Sequence, residues 1–352
     1  MKNMYFNKDV VVTDTIRLNN IFSSDKDNSS FNIAYGIDKN FMFGCGISIA
    51  SILLHNKEMK FTFHIFTDHC SPQNIHDFKK LSEQYNTTII FYVINCEELK
   101  TLPSTKNWSY ATYFRFIIAD FFYNFIDKVL YLDADIICKG KLTELEKLDL
   151  DNYLAAVVTE GEQVWWEKRA NALGDDNIRQ GYFNAGFLLI NIHQWGKEDI
   201  SSQAMKLLSS DEVKKKISFL DQDILNILFV RKVKFLSKDY NKQYSINYEL
   251  KCKKNKEHSH DIKEETIFIH YIGPTKPWHE WATPYPNFKY FQKAKEHSPW
   301  RGYPLQKAES VNQLRYCSKH LFHQGNFLYS LFYFMKYIKN KLKNKLKNIY
   351  EK

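Results

Sequence analysis

Apolar and polar positions fall into two kinds of block along the chain. Residues 32–35, 61–66, 88–94 and 128–132 are short apolar runs of strand character. Between them, residues 41–54 and 73–84 carry helical spacing, and residues 108–122 continue as a helix. Further strand candidates cover 155–158, 187–190, 233–236 and 267–270. Strands alternating with helices predict an α/β fold with a mostly parallel central sheet covered on both faces. In such sheets ligands collect beyond the carboxyl ends of the strands, so the residues there are the ones to inspect. Residues 1–30 are polar and close on Ser24-Asp25-Lys26-Asp27-Asn28-Ser29-Ser30, which reads as loop, and residues 36–40 read as a turn. Pro274, Pro277, Pro284 and Pro286, half of the eight prolines, crowd one region and mark the end of the main fold. The expected division is an N-terminal extension over 1–30, a main domain over 31–275, an accessory region over 276–326 and a helix over 327–352.

That last helix has its own pattern. Leu328, Leu331, Met335, Ile338, Leu342, Leu346 and Ile349 recur at spacings of three or four, and Lys336, Lys339, Lys341, Lys343, Lys345 and Lys347 surround the stripe. A basic amphipathic helix of this kind suits an anionic membrane interface, although docking on the body or free solvation gives the same pattern. It also changes how the charge is read. The net charge is +9, but seven lysines against Glu351 between 336 and 352 carry two-thirds of it. The body is only mildly basic, which weighs against nucleic acid as a partner.

Hydrophobic residues at 44% and charged residues at 25% exclude wholesale disorder. Aromatics reach 16%, and most are expected to fill cores, with sugar stacking as the alternative use. Cys45, Cys70, Cys96, Cys138, Cys252 and Cys317 are scattered without a CxxC pair, so a disulfide framework or zinc site is not expected and a reducing compartment is. Residues 1–12 lack a signal-like apolar stretch, and no run approaches the roughly 18 apolar residues of a membrane span.

The chemistry centres on Val129-Leu130-Tyr131-Leu132-Asp133-Ala134-Asp135. Side chains two apart on extended chain face the same way, so Asp133 and Asp135 can present both carboxylates together. Adjacent carboxylates repel unless a cation lies between them, and a divalent metal serves that purpose. The D-x-D pattern occurs four times, at Asp25/Asp27, Asp133/Asp135, Asp149/Asp151 and Asp221/Asp223, and only the second follows an apolar strand. His270 ends the strand over 267–270 and could complete the ligand set, a mixed N,O environment suiting Mn²⁺ somewhat better than Mg²⁺. A satisfied structural histidine is the alternative. Gly273 would let backbone approach a phosphate and Lys276 would supply a point charge. Asp38, in Gly36-Ile37-Asp38-Lys39-Asn40-Phe41, could accept from a uracil N–H or simply cap a turn. Gly181-Tyr182-Phe183-Asn184-Ala185-Gly186 offers close approach to a sugar. Asp221-Gln222-Asp223 could grip sugar hydroxyls or cap the apolar helix expected over 224–229.

These motifs, in this order over roughly residues 31–300, resemble the retaining glycosyltransferases of family eight. Tyr113-Phe114-Arg115-Phe116, Trp278-His279-Glu280-Trp281 and Ser298-Pro299-Trp300 narrow the likeness to the branch that adds galactose or glucose to lipopolysaccharide core. The resemblance implies a nucleotide-binding domain of the GT-A type, a UDP-hexose donor, a lipopolysaccharide core acceptor, an α-1,3 link and retention at the anomeric carbon. It implies a metal, Mn²⁺ or Mg²⁺, held by Asp133, Asp135 and His270. Gly36, Asp38 and Asn40 would lie at the uridine, Gly273 and Lys276 at the phosphates, and Asn184, Ala185, Asp221 and Gln222 along the donor sugar. Arg115 would face the sugar and diphosphate. Where some members place an aspartate after the Ala-Val strand, this chain has Val158-Thr159-Glu160, which leaves the contact made there open. Retention admits a protein nucleophile, for which Asp221 is the better carboxylate and Gln222 a poor candidate, or a front-face route, which is preferred. The expected setting is the cytoplasmic face of the inner membrane, reached through the basic helix. A different acceptor, a silent UDP-sugar-binding protein or a sugar-nucleotide hydrolase are the rival readings.

Overall fold

The computed structural model describes residues 4–18, 30–105, 109–251 and 262–350, without the side chains of 347–350. Residues 24–29 of the loop expected over 24–30, Trp108 at the expected helix start and Cys252 lie outside the described residues.

The strands are β1 (Val12–Leu18), β2 (Phe31–Ile37), β3 (Phe61–Thr67), β4 (Thr88–Ile94), β5 (Lys128–Leu132), β6 (Ile136–Cys138), β7 (Ala155–Thr159), β8 (Phe183–Asn191), β9 (Val233–Phe235), β10 (Lys242–Tyr244) and β11 (Phe268–Tyr271). Eight form one sheet in the order β1-β4-β3-β2-β5-β8-β7-β9, and β10-β11-β6 form a second. Pairings β4–β3, β3–β2, β2–β5 and β7–β9 are parallel, as the alternation of strands and helices predicts. Pairings β1–β4, β5–β8 and β7–β8 are antiparallel.

Alternation on the strands sorts side chains between two cores. On β2, Phe31, Ile33, Tyr35 and Ile37 join one core and Ala34 the other; on β5, Leu130 and Leu132 part in the same way from Val129 and Tyr131. The helices Met42–His55, Pro72–Tyr85 and Phe288–Glu296 cover the first face, and Phe114–Phe122, Ile200–Ser209 and Leu220–Leu228 the second. Trp278 and Trp300 are buried in the first core, as most aromatics were expected to be.

Several elements differ from the sequence expectation. The helix expected over 108–122 is a 3-10 turn, Tyr110–Tyr113, followed by the α-helix Phe114–Phe122, and the strand expected over 187–190 begins at Phe183. Within the polar extension expected over 1–30, where no strand was expected, Val12–Leu18 forms an edge strand against β4. Val12, Ile16 and Leu18 alternate with Thr13, Thr15 and Arg17, but Asp14 interrupts the apolar period and four of the seven residues are exposed, which leaves the strand signal weak. Gly36 and Ile37 belong to β2 rather than to a turn, which begins only with Asp38 capping the short turn Lys39–Phe41. The helix expected over 224–229 starts earlier, at Leu220, so Asp221, Gln222 and Asp223 lie in its first turn.

Candidate active site

Strand β5 ends at Leu132, and the next residues are held from two sides. The amide N–H of Asp133 donates to Gly186 O (2.8 Å), and Asp135 O accepts from Tyr271 N–H (3.0 Å). β8 runs antiparallel to β5, so its beginning, not its end, meets the carboxyl end of β5. β11 pairs antiparallel with β6 and sets His270 opposite Ile136, beside Asp135. Together these pairings bring Asp133, Asp135 and His270 close enough that one ligand atom from each lies within 4.8 Å of the others. His270 Nε2 is 3.2 Å from Asp135 Oδ1 and 3.9 Å from Asp133 Oδ2. Gly186 leaves the room for this, since a Cβ there would come within 2.6 Å of both His270 and Asp133 side chains.

The donor set fits a divalent cation. Asp135 Oδ1 is buried and has no hydrogen-bond partner, an arrangement costly in a protein interior unless a cation completes it. Burial alone would raise the Asp135 carboxyl; the Lys276 ammonium and His270 outweigh it and hold the group below the usual carboxylate range.

The orientation of the imidazole follows from two backbone amides. Gly186 N–H donates to Asn184 Oδ1 (3.1 Å), and Ala185 N–H to Gln222 Oε1 (3.0 Å), which fixes which end of each side-chain amide is oxygen. Asn241 Nδ2 donates to that same Asn184 Oδ1 (3.0 Å), so Asn241 Oδ1 is left to face His270 Nδ1 (3.0 Å). An amide oxygen only accepts, so Nδ1 carries the proton and the Nε2 lone pair points at the carboxylates. That is the tautomer a metal requires, set by an outer partner.

Arg115 ties this cluster to the helix Leu220–Leu228. Its Nε donates to Thr112 O (3.0 Å) and Nη1 to Ala185 O (2.5 Å) with Asp221 Oδ2 at 3.0 Å. Nη2 donates to Tyr131 Oη (3.1 Å) and Asp133 Oδ1 (3.3 Å). Five acceptors therefore surround the five N–H donors of the guanidinium. Tyr131 on β5 and Asp133, one residue past the strand's end, both meet Arg115, and the Tyr131 hydroxyl donates to Asp133 Oδ1 (3.0 Å). Asp221 also accepts from the Thr112 hydroxyl, and burial raises its carboxyl to about 6 against the pull of Arg115.

The three residues of Asp221-Gln222-Asp223 have separate surroundings. Gln222 Nε2 donates to Tyr182 Oη (3.1 Å) and Glu160 Oε2 (3.1 Å), and Glu160 also receives Asn184 Nδ2 (2.9 Å). Asp223 is fully buried, paired with Arg169 (2.7 Å) and accepting the N–H groups of Ser218 and Phe219. Capping, one of the two expectations for this motif, describes Asp223. Leu220, just before Asp221, adopts φ +44°, a backbone cost concentrated beside the site.

Farther out, Asp38 Oδ1 accepts Asn40 N–H (2.9 Å) and Oδ2 the Ser109 hydroxyl (2.9 Å), while Asn40 is exposed. A Cβ on Gly36 would lie 2.7 Å from Phe114 Cβ, so the glycine is accounted for by packing. Gly273 is exposed in the left-handed region, φ +86°. The Lys276 ammonium bonds Asp135 and Tyr271 O (3.1 Å). Asn241 was not legible in the sequence: a lone asparagine ahead of a three-residue strand carries no signal. Glu160 stood at a position whose contact was left open, and the structure joins it to Asn184 and Gln222.

Residues 32–282 match the profile described as Glycosyl transferase family 8, and residues 285–341 that of Glycosyl transferase family 8 C-terminal. The chain belongs to glycosyl transferase family 8. Within the family it is 50% identical to the lipopolysaccharide 1,3-galactosyltransferase of Salmonella typhimurium strain LT2, over 95% of this chain and 97% of that protein. It is 48% identical to the lipopolysaccharide glucosyltransferase WaaO of Escherichia coli K12, over 93% and 98%. A crystal structure of the galactosyltransferase LgtC, in complex with donor and acceptor sugar analogs, aligns with a TM-score of 0.63 at 25% identity, covering 77% of this chain and 99% of that one. The family-eight fold here is therefore of the GT-A type, as the resemblance implied.

Proposed function

We propose that this family-eight protein transfers galactose or glucose from a UDP-hexose to lipopolysaccharide core, forming an α-1,3 link with retention. The observation that carries it is the triad Asp133, Asp135 and His270, whose carboxylate Oδ1 of Asp135 is buried and unpartnered. The names of relatives near 50% identity, one using galactose and one glucose, supply the substrate class. Asp133, Asp135 and His270 would hold Mn²⁺ or Mg²⁺, which supplies positive charge to stabilise a departing diphosphate. Lys276 and the turn at Gly273 lie beside the triad, where the diphosphate would contact them. Asp38 and Asn40 flank the expected uridine position. Asn184, Ala185 and Gln222 form one hydrogen-bonded wall for the donor sugar, with Glu160 fixing the amide of Gln222.

The surroundings of Asp221 and Gln222 favour the front-face route. Both Asp221 oxygens are engaged, by Thr112 and Arg115, and Gln222 Oε1 receives the Ala185 amide. Neither is free to act as a nucleophile without breaking these bonds. Arg115 acts in this reading by holding Asp133 and Asp221 in place.

The helix Phe327–Tyr350 supports a peripheral membrane setting on the cytoplasmic face. It packs on Val311–His323 through reciprocal Ser318 and Ser330 hydrogen bonds, yet leaves Leu328, Phe332, Met335, Leu342 and Leu346 more than half exposed. Among the described residues no helix is long and apolar enough to cross a membrane.

The deciding assay measures UDP release from UDP-galactose and UDP-glucose, with and without Mn²⁺ and truncated lipopolysaccharide, alongside Asp135→Ala. Turnover that needs acceptor and metal, uses one donor and is lost in the variant supports the proposal. Turnover indifferent to metal, acceptor or Asp135 overturns it.

A further inference from the structure

Between Gly273 and Lys276 lies Thr275, fully buried although its neighbours reach solvent. Its hydroxyl donates to Asn247 Oδ1 (2.6 Å) and receives Trp281 Nε1–H (3.4 Å). His320 joins them from the helix Val311–His323 in the C-terminal region. Its Nε2 is 2.8 Å from the same Asn247 oxygen and 3.3 Å from Thr275 Oγ1, and its Nδ1 is 2.6 Å from Tyr285 Oη. The amide oxygen can only accept, so Nε2 carries the proton and Nδ1 accepts from Tyr285. The network uses one tautomer, and His320 is completely buried within it. Burial pushes its imidazole down to about 3, so it stays neutral across the working range.

Other bonds tighten the same turn. Gln324, one residue past the helix that bears His320, donates to Trp281 O (3.0 Å). Lys276 N–H donates to Nδ1 of buried His279 (3.0 Å), whose ring stacks on Trp281 with centroids 4.2 Å apart. On the far side, a Cβ on Gly273 would lie 3.0 Å from Ser245 Oγ. The turn is thus clamped between the segment carrying Ser245 and Asn247 and the C-terminal helix.

We infer that His320 is a positioning residue for the donor site: through Asn247 and Thr275 it holds the turn Gly273–Lys276 in the shape that receives the diphosphate. The C-terminal helix pair, which exposes the apolar and basic surface, is thereby wired by hydrogen bonds to the catalytic domain's phosphate contact. The inference rests on the reading of that turn as the diphosphate contact. Buried hydrogen-bond networks fix position because leaving any member unsatisfied is costly.

The test titrates UDP, in the presence of Mn²⁺, into the full chain by calorimetry, comparing wild type with His320→Phe, His320→Gln, Thr275→Val and Lys276→Met. His320→Phe keeps the bulk and removes both nitrogens; it should weaken UDP binding about tenfold, the scale of one hydrogen bond. His320→Gln keeps a donor toward Asn247 and should restore most of the affinity. Thr275→Val should match His320→Phe. A purely structural role would lower the melting temperature of these variants but leave the folded protein's UDP affinity unchanged. Wild-type affinity in folded His320→Phe overturns the inference; should that variant fail to fold, Thr275→Val decides by the same criterion. If Lys276→Met binds UDP as wild type does, the reading of the turn has failed. If Lys276→Met weakens binding while His320→Phe and Thr275→Val do not, only the inference has.

Discussion

The ammonium of Lys276 bonds one oxygen of Asp135 across 141 residues of sequence, while the other oxygen faces His270 Nε2 at 3.2 Å with no hydrogen bond. One oxygen of this carboxylate is thus paired with a cation and the other is left facing the imidazole nitrogen that would share a metal with it. Lys276 is only 15% exposed, yet it is the member of this pair on a long flexible stem, able to turn from Asp135 to an arriving phosphate. Lys276→Met should weaken Mn²⁺-dependent UDP binding by one to two orders of magnitude, as loss of a charge-assisted hydrogen bond of about 1.5–3 kcal/mol implies. Isothermal titration checks it, and unchanged affinity would show that the lysine never leaves Asp135.

Asn241 sets the imidazole tautomer from outside the ligand triad. Asn241→Ala leaves His270 Nδ1 without its acceptor and should cost about 10–100-fold in metal affinity. Mn²⁺ titration of the nucleotide-free protein, followed by paramagnetic resonance, reads this without any turnover. Equal affinity in variant and wild type would mean the ring is held by other contacts.

The two aspartates that flank Gln222 should behave differently. Asp223 neutralises Arg169 inside the protein, so Asp223→Ala strands a buried charge and should destabilise the fold by about 3–5 kcal/mol. Urea denaturation measures this; a loss below about 1 kcal/mol would contradict the pairing.

Asp120 predicts an acid-side trend in stability. It accepts Phe6 N–H (3.0 Å) and the Ser201 hydroxyl (2.6 Å), and burial raises its carboxyl from near 4 to about 6. Between those values the folded protein keeps a proton that the unfolded chain has released. Its contribution to stability is thus full below pH 4 and falls as pH rises to 6, by about 3 kcal/mol for a two-unit shift. Asp120→Asn should remove this downward trend and be the more stable protein at neutral pH. Denaturation midpoints between pH 4 and 7 provide the check, and parallel curves for both proteins would refute it.

Deleting residues 327–352 should release the protein from anionic vesicles. Each lysine near such a surface contributes roughly 1 kcal/mol and less as salt rises, so binding of the intact chain should weaken steeply with ionic strength. Flotation with vesicles of mixed anionic and neutral lipid measures both effects. Equal flotation of the truncated chain would place the membrane contact elsewhere.

The sequence determined by itself what depends on neighbours along the chain. Apolar patterning located β2 to β5 and the helices over Met42–His55 and Pro72–Tyr85, the latter opened by a capping box between Ser71 and Asn74 with Pro72 in its first turn. The i, i+2 spacing singled out Asp133 and Asp135, although the structure brings them together in a turn closed by Ile136 N–H on Asp133 O (3.2 Å) rather than on extended chain, and strand-end placement singled out His270. The edge strand Val12–Leu18 escaped because Asp14 interrupts its apolar period, leaving only Ile16 and Leu18 as consecutive alternate apolar positions. What only the tertiary structure decided is how distant segments meet. The antiparallel insertion of β8 delivers Asn184 and Gly186 to the end of β5, and Asn241 orients His270 from a segment with no pattern of its own. Thr275 is likewise tied to His320, 45 residues on. A period in one segment reports which face is buried, but hydrogen-bond partners far along the chain are fixed only when the sheets pair and the helices close over them.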